Sequence, residues 1–363
     1  MPLPPSFPPH FTRSGSTRYG GGSAFSLLEL LVSFSLLILL SVILLQMTDS
    51  TARVTSRVRG SIDTFQGARA AFETITRRLS QATLHTINEY DDPLAPTRYR
   101  RFSQLHFISA RAETLLEPGW LGGVFAGHAV FFQFPGGYNP NQGTDALPDL
   151  LNACGYLIAF CPEETPELGL LPSIPGWSAP HFPPRFRLIE ALEPSADLSV
   201  YQSGESPQWI EDLCANERTR LSVLADDVIL LAFLPRLPLA DDVSGVALAP
   251  AFRYDSRADT RVECVTASGE TIHASSLHQL PPMVEVVMVA LAPESARRLA
   301  DQFGEAPPDL GTLSGDPAQP FSDPALFEEQ LSGLTRTLSQ RKLVFRLFRT
   351  TVVLKGAKWS QDQ

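Results

Sequence analysis

The sequence lacks the spacings that mark most protein chemistry. No HExxH, GxSxG, P-loop or GxGxxG occurs in its 363 residues, and the seven histidines stand singly. The metalloprotease, serine-hydrolase and nucleotide-binding routes therefore have no carrier. Cysteine is scarce: Cys154, Cys161, Cys214 and Cys264 are the four, none of them in a CxxC pair, which argues against a zinc framework. In an oxidising compartment they could form up to two disulfides by three connectivities; as reduced thiols they would be small buried apolar residues, and the sequence does not choose. Excess positive charge is missing too. With 29 basic and 39 acidic residues the net charge is −10, which repels nucleic acid and anionic lipid and favours solubility. No nucleic-acid partner, cofactor, metal or enzymatic activity is expected.

What is present begins with proline. The 31 prolines predict long irregular connections, while 44% hydrophobic and 19% charged residues fit a folded chain of one or two globular units. Residues Phe25 to Leu45 form an apolar run whose only charge is Glu29. As a helix it would extend about 31 Å, matching a hydrocarbon core of about 30 Å. Before it, residues 1–24 are rich in Pro, Gly and Ser and carry Arg13 and Arg18 without an acid. After it, "LLQMTDSTARV" offers no A-x-A cleavage site and no lipid-accepting cysteine. The small residues, Gly20 to Ala24, come in front of the run instead.

Small residue, Phe, Ser, Leu, Leu, Glu resembles the type IV prepilin signature, carried here by Ala24, Phe25 and Glu29. The resemblance implies a cut between Ala24 and Phe25 on the cytoplasmic side, N-methylation of Phe25, and retention of the apolar helix. It also supplies a reason for Glu29. A carboxylate near hydrocarbon costs up to ~3 kcal/mol on insertion scales, and the amine of a neighbouring subunit's Phe25 would neutralise it and fix the axial stagger between subunits. Counting positives alone would not put the N-terminus inside, because Arg53, Arg57 and Arg59 follow the run; a cytoplasmic peptidase requires it.

Beyond the run, Val54, Val58, Ile62, Phe65, Phe72, Ile75 and Leu79 recur at helical spacings, predicting an amphipathic stalk to about Thr83, softened at Gly60 and Gly67. Seven β-like runs follow: "QLHFIS", "HAVFFQF", "GYLIAF", "RFRLIEAL", "DVILLAFLP", "VEVVMVAL" and "KLVFRLFRTTVVL". They predict a sheet packed on the helix. Two further helices are expected, one with Ser295 as N-cap and Gly304 as C-cap, the other over "ALFEEQLSGLTRTLSQRK". The stretches 161–184 and 305–324 read as loops. His106 and His128 fall in strand-like runs and read as satisfied or surface histidines. Asp91 with Asp92 is a turn pair; Asp226 with Asp227 would face opposite ways on a strand and make a poor metal clamp. The oxygen-rich loops "DALPDL" and "GDPAQPFSDP" read as turn chemistry rather than calcium sites.

Taken with "FQGARAAFETITRRLSQATL", "YDDPLAPTRY", "GHAVFFQFP", "LNACGY", "LAPAFRYDSR" and "HQLPPMVEVVMVAL", the chain resembles the Verru_Chthon cassette protein C family, pilin-like proteins of the Verrucomicrobia, and its architecture resembles the J-type minor pseudopilins of type II secretion. The expected fold is α+β and pilin-like: leader 1–24, membrane and assembly helix 25–45, amphipathic stalk 46–84, and an extracytoplasmic head 85–363 with a mainly antiparallel sheet. The resemblance implies a single-pass inner-membrane protein with its N-terminus cytoplasmic and its head periplasmic. Its partners would be a prepilin peptidase and N-methyltransferase, other pilin-like subunits, an assembly platform with a cytoplasmic ATPase, and membrane lipid. The alternative is a single-span anchored extracytoplasmic enzyme or ligand-binding protein, which predicts an uncut anchor and a deep polar cleft.

Overall fold

Helix α1, Leu27–Leu79, is unbroken through Gly60 and Gly67. A computed structural model of the chain describes residues 27–117, 120, 124–140, 147, 149–161, 184–202, 204, 206–303, 306–307 and 321–359; within α1, side chains are described for 30–44, 47 and from Phe65 onward. The chain divides into two compact units, Met1–Arg57 and Val58–Gln363. The helix stops four residues short of the expected Thr83. Arg77 and Arg78 occupy its last turn, where cations complement the helix dipole. Tight turns then carry Gln81 N–H to the Arg78 carbonyl and Ala82 N–H to that of Leu79, and Thr83 bridges to Gln133.

The second unit is mixed helix and antiparallel sheet, and its strands form two main sheets where one was expected. The larger contains β3 (Ile108–Arg111), β4 (Val124–Pro135), β5 (Leu151–Cys161), β6 (Arg185–Glu193), β7 (Arg220–Asp226) and β9 (Tyr254–Asp255), in the order β7-β6-β5-β4-β3-β9. The smaller contains β8 (Val228–Arg236), β12 (Met283–Leu291) and β13 (Phe345–Val353), in the order β13-β12-β8. Asp227 separates them: at φ 60 it turns the chain out of β7 and into β8, donating its N–H to Phe186 and accepting from Leu291. All seven expected runs contain strands. The strands not foreseen are β7, the two-residue β9 and two hairpins, β1 (Ile87–Tyr90) with β2 (Tyr99–Phe102) and β10 (Arg261–Val265) with β11 (Thr271–Ser275).

In β5 and β6 burial is continuous after the first residue, as in a strand covered on both faces. On one face Phe132 and Tyr156 meet the end of α1, where Arg78 lies over the Phe134 ring. On the other, Phe131 packs edge-on against Trp209 of α3 (Trp209–Ala215). Phe131 also faces Gly155 across the β4–β5 ladder; a Cβ there would lie 2.2 Å from the ring, so glycine is required. Gly127, at φ +65 beside a bulge in β4, would place a Cβ 2.7 Å from the Leu231 carbonyl oxygen of β8. The strands approach that closely because no side chain intervenes.

A four-residue turn of helix, α2 (Ala112–Leu115), follows β3. Helix α4 is Pro293–Phe303 and α5 is Phe327–Gln340. Ser295 lies inside α4 and is not its N-cap: its hydroxyl accepts the Val344 N–H at 2.7 Å, tying the helix to the start of β13, while Pro293 suits the first helical position. Gly304 and most of the loops 161–184 and 305–324 lie outside the described residues.

Candidate functional site

The first candidate surface is on α1. Every side chain from Leu30 to Leu44 is exposed, including twelve large apolar ones such as Leu31 at 62% and Leu44 at 63%. An apolar surface of this extent on a soluble monomer marks a membrane or protein contact. One of its hydroxyls is satisfied within the helix: Ser35 donates to the Val32 carbonyl at 2.8 Å. Among the described residues no helix is long and apolar enough to cross a membrane; of the expected span 25–45, side chains are described only for 30–44. Ala24 and Phe25 lie outside the described residues, and Glu29 is placed in the helix without a described side chain.

In the head, several groups that could do acid–base work are buried and hydrogen-bonded. His106 Nδ1 accepts the Trp209 indole N–H at 2.8 Å, which fixes the proton on Nε2, and Nε2 donates to Asp255 at 2.7 Å. Burial pushes the histidine's pKa down despite that carboxylate. Against the penalty of burial, hydrogen bonds from His106 and the Arg257 N–H, with Arg253 nearby, hold Asp255 at about 2. The cluster resembles a catalytic dyad, but the nitrogen that would take a proton from a nucleophile is occupied by tryptophan. It works as a staple between β9, α3 and the segment leading into β3. His128 donates to the Phe321 carbonyl, and burial pushes it down to about 4.

Glu190 is a second buried centre. It pairs with Arg78, accepts the Tyr156 hydroxyl at 2.9 Å, and has Arg220 at 3.7 Å. The network moors the end of α1 to β5 and β6. Glu285 similarly joins Arg236 at 2.5 Å and Arg349, which reaches Glu328 of α5. Burial raises Glu193 to about 7, although it accepts from the Ser199 amide and hydroxyl.

Neither acid pair read from sequence forms a joint site: Asp226 ends β7 while Asp227 sits at the left-handed turn after it, and Asp91 and Asp92 lie in the β1–β2 turn. Asp226 is exposed and meets Arg187 at 3.4 Å, whereas Asp227 is buried and raised to about 6 by that burial. Asp91 accepts from the Thr97 hydroxyl and the amides of Thr97, Arg98 and Asp92, which together hold its carboxyl far below the usual range. It organises the β1–β2 turn. Among the described residues no group of His, Cys, Asp and Glu could hold a metal; "DALPDL" and "GDPAQPFSDP" lie largely outside them. All four cysteines are free thiols, three buried and Cys214 half-buried. Cys154 and Cys161 stand seven positions apart on β5, about 23 Å at the strand rise, so they cannot bridge each other.

A concave surface was not foreseen. Three adjoining depressions of about 190, 400 and 490 Å³ lie around the β1–β2 hairpin, the loop after β11 and the start of β10, sharing the walls Arg100, Arg101 and His278. Its sequence signal was the arginine run at 98, 100 and 101, which lay in a segment read only as a turn-rich exit. Compared with family models, with curated proteins and with solved structures, the chain matches none.

Proposed function

We propose that the chain is a type IV pilin-like subunit, cut between Ala24 and Phe25 and assembled through its N-terminal helix into a pilus or type II secretion-like pseudopilus. The observation that carries this reading is the uncovered apolar surface of α1 from Leu30 to Leu44. Transferring a large apolar side chain out of water yields about 1.5–3 kcal/mol. Twelve of them, even half-buried, outweigh the ~3 kcal/mol that Glu29 costs near hydrocarbon. The helix would lie in the inner membrane before assembly and against other pilin-like subunits afterwards, with the head on the periplasmic side. Glu29 would then pair with the amine of a neighbour's Phe25, giving register more than net stability.

The buried and bonded state of His106, Glu190 and Glu193 supports a head that acts as a rigid module. Assembly energy would come from a cytoplasmic ATPase acting through a membrane platform, and the family resemblance suggests minor-subunit status. The test is incorporation. Glu29→Ala should be processed and membrane-inserted yet fail to enter filaments or co-purify with companion subunits; incorporation equal to wild type would remove the pairing role.

A further inference from the structure

The chain carries −10 overall, yet the three depressions around the β1–β2 hairpin are lined by six formal cations, Arg98, Arg100, Arg101, Arg257, Arg261 and Lys358, and one carboxylate, Asp259. Arg257 is structural: its guanidinium donates to the carbonyls of Gln104, Val200, Gly204 and Ser206. Of the others, Arg98, Arg100, Arg261 and Lys358 are exposed and Arg101 is half-buried. Arg98, 82% exposed, is 4.0 Å from Asp91. Arg100 meets Glu89 at 2.8 Å and Arg261 meets Asp259 at 3.3 Å, both arginine side chains more than half exposed. A guanidinium has five donors in a fork, so one such pair leaves it able to take a second carboxylate. Asp91 is meanwhile committed to its own turn.

Two features mark a built site. His85 and His278 both line the smallest depression, and both hold left-handed backbone, φ 45 and φ 51. Such conformations are uncommon outside glycine and collect where function fixes the backbone. The depressions also share walls, Arg100 and Leu277 between the larger two and Arg101 and Gln279 between the smallest and largest, so they form one groove longer than a single anion needs.

We propose that this groove docks an extended acidic peptide segment of a partner protein, its carboxylates on Arg98, Arg100 and Arg261 and its main chain along the gap between the hairpins. Each hairpin is a two-stranded sheet, so a peptide can meet strand edges as well as charges. Asn88, exposed in the widest part, provides a neutral amide for main-chain groups. The same observations disfavour nucleic acid. Tyr99 already stacks on Tyr90, centroids 4.9 Å apart, which occupies a ring face that a base would use, and a long polyanion would meet the acidic remainder of the chain. The proposal stands apart from pilin assembly, since it concerns only the head's charge and shape.

The test uses the full chain in a neutral detergent and a fluorescent ten-residue peptide of alternating Asp and Glu, read by anisotropy. Reversing Arg100→Glu with Arg261→Glu should weaken binding at least about tenfold. Reversing Arg69→Glu with Arg336→Glu, exposed and remote from the groove lining, makes the same net-charge change and should alter it less than about twofold. Arg98→Gln, the mildest change, should weaken binding measurably and covers the case in which the double reversal misfolds. The proposal is overturned if the wild type does not bind the peptide, if both double variants lose binding equally, or if inorganic phosphate or a single-stranded oligonucleotide binds more tightly with the same dependence on Arg100 and Arg261.

Discussion

The first turns of α1 and the head solve opposite problems. From Leu30 to Leu44 the apolar side chains are outside and the Ser35 hydroxyl bonds back to the helix; in the head the apolar side chains are inside, and carboxylates such as Glu190 and Glu285 are buried against arginines. A surface of the first kind is finished only by a second phase or a second molecule. The head completes its own interior. On the function proposed above, assembly belongs to the helix, and the head's exterior is left for recognition.

The largest effect should come from making the helix resemble the head. Leu37→Arg puts a charge in the apolar stretch at about 2.5–3.5 kcal/mol for the insertion step, and should move the protein out of the carbonate-resistant membrane fraction while the head's unfolding transition stays unchanged. The converse break removes a charge from the head. Arg78→Met leaves Glu190 with only Arg220 at 3.7 Å and the Tyr156 hydroxyl; removing one partner of a buried pair costs about 3–5 kcal/mol, and the lower end is expected here. Urea unfolding of the head checks it, with membrane placement unaffected.

Gly155→Ala tests packing where no charge is involved. The nearest neighbour of the new methyl is the buried Phe131 ring, itself held against Trp209, so relief by rotation is blocked and about 1–3 kcal/mol should be lost. Thermal unfolding would register it.

A subtler handle is pH. Glu193 has a folded pKa of about 7 against an ordinary 4.5, so the folded state holds the proton more tightly. Its contribution is fully present below about pH 4.5 and disappears as pH rises through about 7. His128, lowered to about 4 by burial, acts the other way: its contribution is present above the ordinary imidazole value and is lost as pH falls through about 4. Glu193→Gln should therefore raise stability at pH 8 relative to pH 5, compared with wild type; an unchanged ratio in denaturation midpoints would contradict the assignment.

Much of the architecture was legible because its signals are local. Heptad-like spacing from Phe65 to Leu79 predicted the face that is buried, and runs rich in Val, Ile, Leu and Phe predicted β4, β5, β6, β8 and β12. The hairpins β1–β2 and β10–β11 were hidden because "INEY", "YRRF" and "TIHAS" have no apolar run; turn bonds such as those to Asp91 hold them. The second sheet was hidden because its separation depends on one left-handed aspartate, Asp227, a backbone conformation that the sequence pattern does not report. The basic groove joins residues 83–104 to 200–204, 257–280 and 356–358, and no spacing along the chain reports such a meeting. His106, read as a satisfied or surface histidine, is buried and satisfied, but its partners, Trp209 and Asp255, are about a hundred or more positions away.

The central claim is that α1 becomes an assembly helix by losing what precedes Phe25. Mass spectrometry of the N-terminal peptide from protein made alongside a prepilin peptidase tests it most directly. The account predicts a peptide beginning at Phe25 with a methylated amine and Glu29 in fifth place; an intact Met1, or a cut beyond Leu45, would contradict it.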